Sequence, residues 1–99
     1  SGYTNYGYSL EEFHKRFKHR MHRKTTVLIF GDARNNWQES GKWVLQDIKN
    51  RVKKVYWFNP EPAALWNTGD SIINQYSPYC DAVFACPNLL ELEKSLAKI

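Results

Sequence analysis

Thr25-Thr26-Val27-Leu28-Ile29-Phe30-Gly31-Asp32 is β-branched, apolar without interruption from Val27 to Phe30, and stopped by a glycine and an aspartate. A short apolar run without alternation predicts a strand covered on both faces. Working outward, Val55-Tyr56-Trp57-Phe58 reads as a second such strand, ended at Asn59-Pro60-Glu61-Pro62 because proline has no N–H for the ladder. A third is predicted over about 81–86.

Helical patterns fill the intervals. Ser9-Leu10-Glu11-Glu12 has the form of a capping box, in which a serine hydroxyl and a glutamate satisfy free amides at a helix start. It predicts a helix over about 9–23, with Leu10, Phe13, Phe17 and Met21 as one apolar stripe. Trp43, Val44, Leu45, Ile48 and Val52 mark a second helix over about 40–52, with Arg51, Lys53 and Lys54 at the end where cations are favourable. Asp70-Ser71 is placed to cap a short helix holding Ile72, Ile73 and Tyr76, which Ser77-Pro78 ends. Asn88, with Glu91 three residues on, caps a last helix striped by Leu89, Leu92 and Leu96. Strands alternating with helices imply crossover connections. The expected architecture is α/β: a three-layer αβα unit around a small parallel sheet of about three strands. Neither a repeat nor a linker is visible, so residues 1–99 read as a single domain.

The composition is that of a globular chain, with 42% hydrophobic, 15% aromatic and 24% charged residues. That excludes a disordered tail and a collagen-like chain. The apolar run Val27–Phe30 is far short of the roughly 20 residues a membrane-spanning helix needs, so a soluble protein is expected. Its formal charge of +4 is unevenly spread. Residues 1–54 hold twelve Lys/Arg against five Asp/Glu, whereas residues 55–99 hold two against five. The densest part, His14 to Lys24, could face nucleic-acid phosphates or an acidic partner, although a solvated helix face accounts for it more simply. His19 and His22 share a helix face, but a zinc site there would lack further ligands nearby. Cys80 and Cys86 flank the third strand, about 20 Å apart if it is extended, too far for a disulfide. Free thiols suit a reducing, cytoplasmic compartment.

In open parallel sheets functional groups gather beyond the carboxyl ends of the strands. Those ends are Asp32-Ala33-Arg34-Asn35-Asn36, Asn59-Pro60-Glu61 and Pro87-Asn88, and the opening loop with Thr4 falls on the same side. A carboxylate and a hydroxyl, Asp32 and Thr4, are hard oxygen ligands of the kind Mg²⁺ or Mn²⁺ takes; an aspartate there can equally cap a turn. Arg34, Asn35 and Asn36 are candidates for orienting a partner's carboxylate, or form a hydrophilic turn. Trp37, Trp66 and Tyr79 are candidate interface anchors, or cover the rim of the core. No glycine-rich nucleotide loop occurs.

Taken in order, Gly2-Tyr3-Thr4-Asn5-Tyr6-Gly7, Thr26 to Asn36, Val55 to Glu61 and Trp66-Asn67-Thr68-Gly69-Asp70-Ser71 resemble the C-terminal part of von Willebrand factor A (VWA) domains of the CoxE-like group. The resemblance spans nearly the whole chain and implies a Rossmann-like fold. It implies also a metal-ion-dependent adhesion site, built from an Asp-x-Ser-x-Ser loop, a threonine matched by Thr4 and an aspartate matched by Asp32. Where the family usually has a Thr-Asp-Gly type strand end, this chain has Gly31-Asp32-Ala33, and it contains no Asp-x-Ser-x-Ser. The expectation is therefore the second half of such a domain, holding its last three strands, with Mg²⁺ or Mn²⁺ bound weakly or not at all by these residues alone.

The resemblance further implies a non-enzymatic protein-interaction module that recruits an acidic group, with a MoxR-type AAA+ ATPase as partner in metalloenzyme assembly. Two other readings stand beside it. One is nucleic-acid binding through the basic helix 14–24, which predicts affinity falling steeply with salt and fails if a random duplex is not bound at about 50 mM salt. The other is a small α/β hydrolytic enzyme using Asp32 and Asp70 as acid and base, which needs both near one pocket. An unpaired edge on the first strand would invite a homodimer.

Overall fold

The computed structural model describes residues 5–99. Its elements are α1 (Tyr6–Phe17), β1 (Thr26–Phe30), α2 (Lys42–Arg51), β2 (Lys54–Asn59), α3 (Ile73–Tyr76), β3 (Ala82–Ala85) and α4 (Leu89–Leu96), with single 3₁₀ turns at Lys18–Arg20, Ala63–Leu65 and Ser77–Tyr79. The strands form one parallel sheet in the order β1-β2-β3. Ile29 pairs with Trp57 and Trp57 with Val83, while Phe30 pairs with Phe58 and Phe58 with Phe84. The architecture is the expected α/β one, consistent with part of a VWA Rossmann-like fold.

One face of this sheet carries the core. Val27, Val55 and Trp57 point from it into a cluster with Leu10, Val44, Leu45, Ile48, Ile73 and Tyr76, all buried. Each such aliphatic side chain stabilises the fold by about 1.5–3 kcal/mol relative to its exposed state. Trp57 is its centre. Its ring stacks on Tyr76 at 5.0 Å and meets Tyr6 at 5.8 Å. The indole N–H donates to the Gly31 carbonyl at 2.8 Å, so the one polar atom of the ring is satisfied.

The other face is covered differently. α4 packs against β3; Leu92 lines a shallow cleft with Phe58, and Ile99 lines another with Tyr56. An eight-residue helix is about 12 Å long and leaves β1 bare: Leu28 is 40% and Phe30 58% exposed. The strand predicted to be covered on both faces is covered on one. Within α4 the expected stripe is also shifted, since Leu89 is exposed while Ser95 is buried; the Ser95 hydroxyl is satisfied by donating to the Glu91 carbonyl.

Several boundaries differ for local reasons. α1 begins three residues before the Ser9 box, because the Asn5 side chain accepts from the Tyr8 N–H and caps it. It ends at Phe17 rather than Arg23. There Lys15, Lys18 and the neighbouring arginines set like charges one turn apart. At Asn88 the expected cap forms, with the side chain accepting from the Glu91 N–H at 2.9 Å. Asp70 and Ser71 do not cap α3, which has no side-chain cap; both are used elsewhere.

His14, which the sequence places in the basic run expected on the helix's solvated face, is buried. Its Nε2 lies 2.5 Å from Asp47 Oδ2, and its ring meets Trp43 edge-on at 5.3 Å. Arg51 Nε donates to the same oxygen. The hydrogen bond from His14, then that from Arg51, holds the Asp47 carboxyl below the usual carboxylate range. At the start of β3, Asp81 ties two strands together: its carboxylate accepts from the Val55 N–H and from Lys49. Burial pushes the carboxyl of Asp81 up, and these bonds outweigh it, leaving it lowered.

Candidate functional site

The carboxyl ends of the strands form a rim built from the loop after β1, the turn after β2 and the start of α1. Close approach is enforced by glycine. A Cβ on Gly31 would stand 2.3 Å from the Tyr6 hydroxyl, and one on Gly7 2.3 Å from the Glu39 carbonyl oxygen. These two positions let α1 lie directly against the strand end. Tyr6 then bridges the rim: its backbone N–H donates to Asn35 Oδ1 at 2.5 Å and its hydroxyl to Asp32 Oδ1 at 3.2 Å. Burial first, and the Asp32 charge second, raise the Tyr6 pKa, so the hydroxyl keeps its proton and remains a donor.

Asp32 also accepts from the Arg34 N–H, again at Oδ1. Its Oδ2 therefore has no donor among the described residues. Arg34 reaches across the rim. Its Nε donates to Glu61 Oε2 at 2.7 Å, and its Nη1 to Asp70 Oδ1 at 3.2 Å and the Thr68 carbonyl at 2.9 Å. Asp70 Oδ2 accepts from the Asn36 N–H. That bond, and then Arg34, hold the Asp70 carboxyl below its ordinary range against the pull of burial. Ser71 joins the same frame through a bridge to Arg34 and a hydroxyl that accepts from the Asn67 N–H.

The loop is bent into an uncommon shape. Ala33, Asn36 and Trp37 all have positive φ, of 59°, 51° and 60°. Asparagine tolerates this region; alanine and tryptophan are strained there and stay only because surrounding bonds over-determine them. Asn35 supplies many of those bonds. It is completely buried, accepts from Tyr6, and its amide donates to the carbonyls of Gln38 and Glu39. Trp37, by contrast, is 79% exposed.

Among the candidates from sequence, the structure brings Asp32, Arg34, Asn35 and Asn36 together on this rim, with Asp70. Thr4 lies outside the described residues; Tyr6, two positions after it in sequence, is fastened to the rim. Arg34 and Asn35 spend their polar groups inward, on framing the loop. Trp66 and Tyr79 are packed against the core, leaving Trp37 as the exposed aromatic of the three. Asp32 and Asp70 do share one end of the sheet. Yet both Asp70 oxygens are occupied and its pKa is lowered, the reverse of what a general acid requires. Glu61 was not singled out in sequence as a charged partner; only its position two residues past a strand end hinted at the rim.

For a divalent ion the rim offers two carboxylate oxygens without a donor among the described residues, Asp32 Oδ2 and the buried Glu61 Oε1. No group of three His, Cys, Asp or Glu that could hold a metal occurs among the described residues. Mg²⁺ keeps its waters unless several oxygens replace them, so these residues do not by themselves fit an ion. The basic residues of 15–24 sit at the other end of the sheet, joined there by Lys53, whose N–H donates to the Thr25 carbonyl. No described helix is long and apolar enough to cross a membrane.

Residues 1–94 match the family described as VWA domain containing CoxE-like protein. No curated protein and no solved structure matches the chain.

Proposed function

The chain belongs to the family of VWA domains containing CoxE-like protein, and from that premise we propose that it binds a protein partner on the rim at the carboxyl ends of its strands. VWA domains generally mediate protein interactions, and within this chain the rim is where rigid backbone, a free acceptor and an exposed aromatic coincide. Arg34 and Asn35 hold the loop; Asp32 Oδ2, Asn36 and Trp37 meet the partner. An aromatic anchor on a loop fixed by buried hydrogen bonds loses little entropy on binding. The observation that carries this reading is the Tyr6 bridge, which fastens the chain next to Thr4 onto both Asp32 and Asn35.

The finer proposal is that Thr4 and Asp32 are the two positions through which this chain takes part in an adhesion site for Mg²⁺ or Mn²⁺, as the last three strands of a VWA domain. The partner proposed is a MoxR-type AAA+ ATPase in metalloenzyme assembly, offering an acidic group. We read the role as non-catalytic.

The test is partner affinity with Mg²⁺ present, for the wild-type chain, Asp32→Ala and Trp37→Ala, with circular dichroism to verify folding. Both variants should weaken binding of a purified MoxR-type ATPase by about tenfold or more, roughly 1.4 kcal/mol. Unchanged affinity in both would remove the rim from the interaction. A Mg²⁺ titration of the chain alone should show binding weaker than roughly 1 mM; tight binding would show that the ion site is complete within these residues.

A further inference from the structure

Beside the rim, between α1 and α2, lies an open cleft of about 670 Å³, lined by the N-terminal half of α1, the loop 38–41, the start of α2 and Gln75 of α3. None of its lining comes from β1, so its opening does not depend on what flanks that strand. Gly7 and Gly41 leave it hollow. A Cβ on Gly41 would stand 2.8 Å from the Gly7 Cα, so the two backbones touch and neither contributes a side chain. The rest of the lining is held from behind. Asn35 donates to the Gln38 and Glu39 carbonyls, the Tyr76 hydroxyl donates to the Ser40 carbonyl at 2.7 Å, and the Trp43 ring meets buried His14 edge-on. A cleft fixed in this way needs little ordering when a ligand enters.

Two kinds of group face solvent there, aromatic rings and carboxylates. Tyr8 and Trp43 are 62% and 51% exposed. Six of the ten Asp and Glu residues form ion pairs among the described residues. Of the other four, Glu11 and Glu39 both line this cleft. Lys42 is the one cation among the described lining residues, so the cleft is net negative in a chain of net charge +4. We propose that it takes an arginine-bearing segment of a protein partner, the guanidinium bonding to Glu11 and Glu39 and resting on the rings of Trp43 and Tyr8. Arginine suits this set of groups better than lysine. Its plane stacks on aromatic faces, its five donors serve two carboxylates at once, and it is more weakly hydrated than an ammonium. The same carboxylates repel phosphates, which disfavours a nucleic acid. The Gln38 and Gln75 amides beside them are suited to the peptide groups around that arginine.

The inference shares with the proposed function only a protein as partner, and it uses neither Asp32 nor Trp37. The probe is the blocked peptide acetyl-Gly-Ala-Arg-Ala-Gly-amide, with norleucine or glutamate in place of arginine as controls, titrated into isotope-labelled chain and followed by NMR. At about 20 mM salt, where surface charges are weakly screened, the arginine peptide should bind with a dissociation constant on the order of 1 mM. Its shifts should centre on the Tyr8 and Gly41 amides and the Trp43 indole. The norleucine and glutamate peptides should bind at least about tenfold more weakly. Glu11→Gln combined with Glu39→Gln changes two exposed side chains, leaves the fold intact by circular dichroism, and should weaken the arginine peptide about fivefold or more. Asp32→Ala should leave the peptide's affinity unchanged; a loss there would assign the arginine to the rim and overturn the cleft. No shift up to about 10 mM peptide, shifts centred elsewhere, equal binding of either control peptide, or unchanged affinity in the double variant would each overturn the proposal.

Discussion

The two faces of one three-stranded sheet are built from equally apolar residues and end up in opposite states. On the face toward α1, α2 and α3, Val55 and Trp57 have no exposure and Val27 has 8%. On the face toward α4, their neighbours Leu28 and Phe30 are 40% and 58% exposed. A strand's hydrophobicity reports what it can bury, while the elements available around it decide what is buried. Among the described residues three helices crowd the first face, and α4 alone, lying along β3, serves the second. Stability should accordingly be concentrated on one side of the sheet.

The largest test of that asymmetry is Trp57→Ala. Removing a fully buried indole that stacks on Tyr76 and bonds to Gly31 should cost about 3–5 kcal/mol, measured by urea denaturation. A loss below about 1 kcal/mol would mean the first face is not the source of the fold's stability.

A second test probes the ionic contacts over the same face. Asp47 is held ionised by His14 and Arg51, so its folded pKa lies below its unfolded value, near 3.9. The sign follows from linkage: this contribution is present above the unfolded pKa and is lost as the pH falls through the folded one. Thermal melts from about pH 5 down to pH 2 should therefore drop in that window, and Asp47→Asn should drop less steeply. Asp70 and Asp81, both lowered, act in the same direction, so the variant reduces the slope without flattening it. An equal slope in the variant would show that the His14 pair carries none of the pH dependence.

What could be read from the sequence divides along physical lines. Strand positions, helix order and the Asn88 cap follow from local pattern, and Asp32 follows from the rule that sites gather at strand ends. Arg34's link to Glu61 and Asp70 spans 27 and 36 residues, and no local signal announces such a pair. The same holds for His14 with Asp47, 33 residues apart, where a basic run disguised a buried histidine. Asn5 displaced Ser9 as the cap because the rim, through Asn35, takes hold of Tyr6 and starts the helix early. Positive φ at Trp37 was illegible for a different reason: nothing about tryptophan favours it, and only the buried bonds of Asn35 and Asp70 around it impose it.

The smallest expected effect cuts most directly between the faces. Phe30→Ser exposes part of Phe58 and loses one ring stack, at a cost of about 1 kcal/mol or less. Ile29→Ser, one residue away and directed into the core, should cost at least about 2 kcal/mol, because a hydroxyl replaces packed methylenes there. Both substitutions put serine for an apolar residue on the same strand, and since Phe30 is the larger side chain, a greater loss at Ile29 reports facing and not size. Equal losses would mean that the α4 side is as closed as the other. A marked difference would leave Phe30 and Leu28 as apolar surface that these residues do not need for their own stability.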